Sequence, residues 1–200
     1  QTLLKGEDYI FPHSWSPDGK VVAYHRNTGA EGQRDIWLLP MSGDRIPQPF
    51  VESRFNVRNP SFSPDGRWIA YVSDESGRDE VYLQQYPGPG GKVPVSTDGG
   101  TEPVWCPAGG ELFYRSGDRM MAVSVESVPT LEIGNPQVLF EGRYSGTETG
   151  GYGVHNYDVS PDCQRFVMIQ LATGQSPTEL IVVLNFFEEL ERLAPVDGGN

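Results

Sequence analysis

Ser61-Phe62-Ser63-Pro64-Asp65-Gly66-Arg67, followed at once by Trp68-Ile69-Ala70-Tyr71-Val72, is the stretch whose reading decides the fold. Pro64 fixes φ at the first central position of a turn, Asp65 can bond the backbone two residues on, and Gly66 accepts the positive φ of a tight reversal. The segment ending in Phe62 and the aromatic, β-branched run after the turn read as two strands. The unit is a β-hairpin.

The hairpin is repeated. Ser16-Pro17-Asp18-Gly19, Cys106-Pro107-Ala108-Gly109 and Ser160-Pro161-Asp162-Cys163 are its other copies, and the four follow one another at spacings of 47, 43 and 54 residues. Each leads into a second strand, at Val21-Val22-Ala23-Tyr24, Trp68-Ile69-Ala70-Tyr71, Glu111-Leu112-Phe113-Tyr114 and Arg165-Phe166-Val167-Met168. Polar loops then lead to third strands at Asp35–Leu38, Glu80–Leu83, Met120–Val123 and Glu179–Val183. Shorter fourth strands follow in the first three units, at Pro49–Val51, Lys92–Val95 and Gln137–Phe140. Their prolines place them at the outer edge of each sheet, because proline cannot donate to a ladder.

Four strands per repeat with no intervening helix describe the blade of a β-propeller. The expected architecture is therefore all-β, one domain over residues 1–200, with antiparallel four-stranded blades at about 10–51, 58–96, 102–140 and 155–184. The fourth unit runs out after three strands, so Thr2-Leu3-Leu4 is expected to supply the outer strand that closes the last blade. Asn185 and Glu188 form a capping box, which predicts a short C-terminal helix over 185–193. The glycine-rich stretch from Glu141 to Asn156 reads as a mobile or ligand-gating loop.

Fifteen basic residues against 27 acidic ones give a net charge of −12, which argues against nucleic-acid and anionic-membrane partners. No apolar run reaches the length of a membrane-spanning helix, so no direct membrane insertion is expected. Gln1 is not a natural start, and the chain reads as a piece of something longer, with an extracytoplasmic site preferred to a cytoplasmic one. Cys106 and Cys163 are too few for a disulfide framework and lack metal-type spacing, which leaves the redox compartment open.

At this point the chain resembles a known family. The Ser-Pro-Asp-Gly turn, the apolar strand ending in Ala-Tyr, and the following Gly-Arg-Asp with Ile-Trp or Val-Tyr resemble the TolB-type, WD-like β-propeller repeats of bacteria. Four longer strings resemble, more narrowly, the C-terminal propeller of bacterial receptor-type serine/threonine protein kinases. They are Ser73-Asp74-Glu75-Ser76-Gly77-Arg78-Asp79-Glu80-Val81-Tyr82, Gly99-Gly100-Thr101-Glu102-Pro103-Val104-Trp105, Tyr157-Asp158-Val159-Ser160-Pro161 and Asn185-Phe186-Phe187-Glu188-Glu189-Leu190. The resemblance implies six or more blades where this chain holds four, so missing N-terminal blades are expected, with the gap either tolerated through a four-blade closure or filled by a second chain. Two turns depart from the pattern: Ala108 replaces the aspartate in one and Cys163 the glycine in the other, and both are expected to be looser or differently shaped.

The chain carries few motifs of known chemistry. There is no Gly-x-Ser-x-Gly elbow, no glycine-rich phosphate loop with lysine, and no kinase Asp-Phe-Gly or His-Arg-Asp. The turn aspartates Asp18, Asp65 and Asp162 repeat for turn capping. Trp15, Phe62 and Trp105, with Tyr24, Tyr71 and Tyr114, recur in register and read as packing between blades. His13, His25 and His155 fall at different repeat positions and read as ordinary loop histidines, although His13 and His155 would both face a central funnel. No catalytic residue, metal ligand or cofactor is expected.

In a propeller the loops opposite the Ser-Pro-Asp-Gly turns surround the channel mouth. Those loops carry Arg34, Arg54, Asn56, Arg58, Arg78, Glu102, Tyr152, His155 and Asn156, the candidate contacts for a protein or small-molecule ligand. The expected function is a non-catalytic binding or sensory module of a larger bacterial protein such as a receptor kinase. Two alternatives stand beside it: a propeller hydrolase or lyase using His155 in the funnel, and an assembly scaffold in the manner of TolB.

Overall fold

The structure, a computed structural model, describes residues 2–4, 9–28, 33–88, 90–145, 154–170 and 180–183. The strands fall into four antiparallel sheets in chain order. Blade one is β1 (Ile10–Trp15), β2 (Val21–Thr28), β3 (Gln33–Pro40) and β4 (Gln48–Val51), paired in that order. Blade two repeats it with β5 (Val57–Phe62), β6 (Trp68–Ser73), β7 (Glu80–Gln85) and β8 (Lys92–Pro94). Blade three has β9 (Thr101–Trp105), β10 (Glu111–Ser116) and β11 (Arg119–Glu126), and its outer position is shared by β12 (Glu132–Ile133) and β13 (Gln137–Glu141), both paired to β11. Blade four is β14 (Tyr157–Val159), β15 (Phe166–Ile169) and β16 (Leu180–Val183). The architecture is the all-β propeller that the repeat predicts.

The turn that opens each hairpin shows why the sequence repeats. Gly19 N–H donates to Ser16 O at 2.8 Å and Gly66 N–H to Ser63 O at 2.9 Å, while each serine Oγ bonds its turn aspartate. The same serine Oγ also accepts the N–H that begins the second strand, Val21 at 2.9 Å and Trp68 at 3.0 Å. Serine and aspartate thus satisfy backbone groups that the reversal would otherwise leave unpaired.

The two degenerate turns are not looser. Gly109 N–H reaches Cys106 O at 2.9 Å and Cys163 N–H reaches Ser160 O at 2.8 Å, the same closure as in the intact copies. In the third turn the backbone bond suffices without the serine and aspartate clasp. In the fourth, Cys163 itself takes the left-handed φ of 61° that glycine takes elsewhere.

Strand alternation sends one face of each sheet against the next blade. Ala23 and Leu38 of blade one pack on Phe62 and Ile69 of blade two, with Ile36, Val57, Tyr71 and Tyr82 in a second cluster of the same seam. Ala70, Val81 and Leu83 meet Trp105, Leu112 and Tyr114 across the second seam. Phe113, Met120 and Ala122 meet Tyr157, Val159 and Phe166 across the third, where Phe113 and Phe166 cross edge to face at 5.0 Å. Each fully buried side chain such as Ile69 or Leu112 stabilises the seam by about 1.5–3 kcal/mol.

Two expectations fail. Thr2-Leu3-Leu4 lie in no strand, because no ladder partner reaches them among the described residues. Trp15 is 55 % exposed rather than packed, unlike its counterparts Phe62 and Trp105. Those two lie on the preceding blade, whereas among the described residues no core cluster joins blade four to blade one. The helix expected over 185–193 and the gating loop's Gly146–Gly153 lie outside the described residues.

Candidate functional site

The loops that join one blade to the next share a face with the loops between second and third strands. Asn56, just before β5, donates N–H and Nδ2–H to the two carboxylate oxygens of Asp74 after β6, each at 2.9 Å. Two residues on, Arg58 grips Asp79 with both terminal nitrogens, Nη1 to Oδ1 at 2.9 Å and Nη2 to Oδ2. Arg58 is 7 % exposed and this two-pronged pair neutralises it. Arg34, at the start of β3, donates Nε–H to Asn27 Oδ1 at 3.3 Å, and burial followed by repulsion from Arg58 lowers its pKa.

The histidines converge. A register shift between Pro12 and Ser14 marks where β1 carries His13, and Phe11 lies opposite His25 on β2. His13 Nε2 and His25 Nδ1 lie 2.8 Å apart and share one hydrogen bond, so one ring donates and the other accepts. Phe11 stacks on His25 with ring centroids 4.8 Å apart. From just before β14, His155 sets its ring perpendicular to His13 at 5.5 Å and donates Nε2–H to Pro103 O at 3.0 Å. Burial, with repulsion from His155 and His25, pushes His13 down to about 2. Burial, then Arg34, Arg58 and His155, push His25 down to about 3. Burial takes His155 to about 4 against the opposing effects of Pro103 O and Asp158. All three are neutral imidazoles at ordinary pH.

The seam between blades three and four adds a second constellation. Glu102, fully buried at a left-handed φ of 55°, accepts Asn156 N–H at 2.8 Å and Asn156 Nδ2–H at 3.2 Å. Its backbone oxygen accepts the Tyr157 hydroxyl at 2.8 Å, and burial, then the Glu102 charge, raise that phenol well above its ordinary pKa. These bonds tie the start of β14 to β9.

The nine sequence candidates therefore divide. Arg34, Arg58 and His155 meet around His13 and His25, Glu102 and Asn156 hold the neighbouring seam, and Asn56 is bound to Asp74 within blade two. Arg54 is exposed, with its guanidinium 4.9 Å from the Phe55 ring centroid. Arg78 bonds Glu80 Oε1 at 2.7 Å and Thr97 O, within blade two. Tyr152 lies outside the described residues. Sequence reading missed His25 and Asp79 as members of the cluster. His25 sits one place after the Ala-Tyr of the repeat, where blade two has Val72, and that break in the apolar pattern is the signal.

Among the described residues no group of three or more His, Cys, Asp or Glu is arranged to hold a metal ion. His155 Nε2–H is spent on a carbonyl, and its ring is held neutral by burial rather than poised as a general base near pH 7. On the opposite face, Trp15, Pro17, Phe62, Pro64, Trp105 and Pro107 line an apolar groove of about 370 Å³. Another link the sequence hid lies on that face: Cys106 and Cys163 form a disulfide that joins the third and fourth turns.

No family model matches the chain. It is 29 % identical over 169 residues to the uncharacterized protein Atu1656 of Agrobacterium fabrum, covering 79 % of this chain and 54 % of that one. It is 38 % identical over 68 residues to the Tol-Pal system protein TolB of Hydrogenovibrio crunogenus, covering 34 % of this chain and 16 % of that protein. The crystal structure of TolB from Acinetobacter baumannii superposes with a TM-score of 0.59 at 16 % identity, covering 93 % of this chain and 54 % of that one. The chain thus spans about half the length, or less, of these relatives, and its fold is that of a TolB-like β-propeller.

Proposed function

We propose that this chain is a non-catalytic, protein- or ligand-binding propeller module, the interaction or sensory part of a larger bacterial protein such as a receptor kinase. The observation that carries the reading is the convergence of Arg34, Arg58, His13, His25 and His155 from three blades onto one face, with the histidines neutral and none poised as a base. A rigid scaffold that gathers cations and aromatic rings on one face suits recognition. The name of the TolB relative supports a protein as the partner. The Cys106–Cys163 disulfide supports an extracytoplasmic location, because such bonds persist in oxidising compartments.

The test is capture of partner proteins and metabolites by the folded chain, compared between wild type, Arg34→Ala and His155→Gln on the loop face, and Asp18→Ala on the turn face. Binding lost in the first two variants and kept in the third supports the reading. Binding that survives both loop-face changes, or turnover of a captured compound, overturns it.

Exposed Trp15 favours a second element of this reading. It lies where a preceding blade would pack, so further blades or a second copy of the chain would complete the ring there. A solution mass of a stable dimer that Trp15→Ser reduces to monomer supports the second copy. A monomer at all concentrations leaves further blades as the cover.

A further inference from the structure

His13, His25 and His155 are all the histidines of the chain, and the fold brings them to one place. His25 is fully buried with Nδ1 engaged by His13, and its Nε2 is buried with no hydrogen-bond partner among the described residues. Neither placement of the shared proton cures this. If His25 Nδ1–H donates, Nε2 is a bare lone pair; if His13 donates, His25 Nε2–H has no acceptor. Native proteins rarely leave such an atom unsatisfied. A second orphan stands beside Arg58 on β5: Asn59 is fully buried at a left-handed φ of 55°, and neither atom of its side-chain amide has a partner.

We propose that this centre is a carboxylate-binding site, in which the ligand enters past the half-buried rings of His13 and His155 and one proton is taken up by the His13–His25 pair. The inference rests on the loop-face binding reading and names the chemistry of its ligand. Protonation makes both nitrogens of His25 donors, one to His13 and one to the ligand, and a carboxylate is an acceptor whose charge balances the added proton. The guanidiniums of Arg34 and Arg58 act on His25 and favour an anion over a divalent cation, while Asp79 offsets Arg58 and Asp158 acts on His155 in the opposite sense. Without an anion, burial and these cations keep the pair neutral, so proton and carboxylate enter together.

One linked proton makes binding about tenfold tighter for each pH unit lowered, between the pKa of the free and the bound pair. The chain has three imidazoles, so their ring nitrogen spectra report on this cluster and nothing else. Those spectra are to be followed between about pH 4.5 and 7.5 in chloride, with excess acetate, with acetamide, and with N-acetyl-triglycine carrying a free or an amidated C-terminus. The expected result in chloride and acetamide is His13 and His25 neutral throughout and His155 only beginning to protonate at the acid end, with a ring of the His13–His25 pair titrating within the range in acetate or the free-terminus peptide. A response to acetate identifies a small acid as sufficient; a response to the peptide alone identifies a chain terminus. Rings indifferent to every carboxylate, or equally moved by acetamide or the amidated peptide, overturn the proposal, as do rings titrating near the ordinary 6.5 in chloride. Such a failure leaves partner capture on the loop face untouched. Loss of partner capture with the carboxylate response intact sinks only the wider reading.

Discussion

Cys106 occupies the serine position of the third turn and Cys163 the glycine position of the fourth, and the two are bonded to each other with Cα atoms 5.5 Å apart. The two cysteine departures from the repeat are one feature. Each cysteine displaces a turn residue, and the disulfide ties the third turn, which lacks the serine and aspartate clasp, to the fourth, where Ser160 and Asp162 still make it.

Removing the bond frees a loop of 57 residues in sequence separation, so Cys106→Ser with Cys163→Ser should cost about 2–4 kcal/mol. Urea unfolding with and without reductant measures it: the wild type should fall to the level of the variant when reduced, and the variant should not respond. Equal stability of both proteins would show that the bond constrains nothing.

Cys163 also keeps a side chain at a φ of 61°. With the disulfide removed, glycine at this position should be about 1 kcal/mol more stable than serine, because only glycine occupies that region without steric cost. Comparing Cys106→Ser/Cys163→Gly with the double serine variant by urea midpoint checks it. A more stable serine variant would contradict the turn geometry.

Lowering the pH should destabilise the fold earlier than carboxylate titration alone would. The three histidines have folded pKa values of about 2, 3 and 4 against 6.5 for the free side chain, so below 6.5 the unfolded chain binds protons that the folded chain does not. Stability is therefore complete above pH 6.5 and is lost as pH falls towards 4, with fully buried His25 contributing a slope of up to about 1.4 kcal/mol per pH unit. The turn carboxylates add a later loss: Asp18 is lowered to about 2 from 3.8 by the Ser16 hydroxyl and Lys20, so its contribution disappears only below pH 4. Thermal melts in carboxylate-free buffers should show the first decline beginning near pH 6.5. A flat profile down to pH 4 would contradict histidine burial.

Arg58 and Asp79 offer a double-variant test. Asp79→Asn leaves a buried guanidinium without its countercharge and should cost about 2 kcal/mol, below the cost for fully buried pairs because Asp79 retains a third of its side chain in water. Arg58→Met/Asp79→Leu should recover much of that loss. A double variant as damaged as the sum of the singles would show that the two groups act separately.

The blades were legible because their determinants are local. Pro64, Asp65 and Gly66 specify a turn within four residues, and the hairpin register follows from it, as does the edge position of β4 and β8 from their prolines. The split outer edge of blade three was not legible, since Glu132-Ile133 is too short to announce a strand. The disulfide escaped because its two cysteines are distant in sequence, and only the stacking of consecutive blades brings their turns together. The histidine cluster escaped for the same reason. His25 lies in the interior of β2, whereas Arg34 and Arg58 stand at strand starts and His155 in a loop, so position at the channel mouth was legible for those three and not for the residue between them. Arg78 and Arg54, which are loop-borne, point to partners of their own, and sequence position alone does not separate them from the cluster.

The functional reading depends on residues of the first and fourth blades meeting at the loop face. His13 and His155 have ring centroids 5.5 Å apart, a contact that exists only if blades one and four both turn their inner strands to a common axis. An NMR cross-relaxation measurement between the ring protons of His13 and His155, assigned through His155→Gln, tests it directly. The account predicts a clear cross-peak that the variant removes; a wild-type spectrum in which the His13 ring sees His25 but never His155 would contradict it.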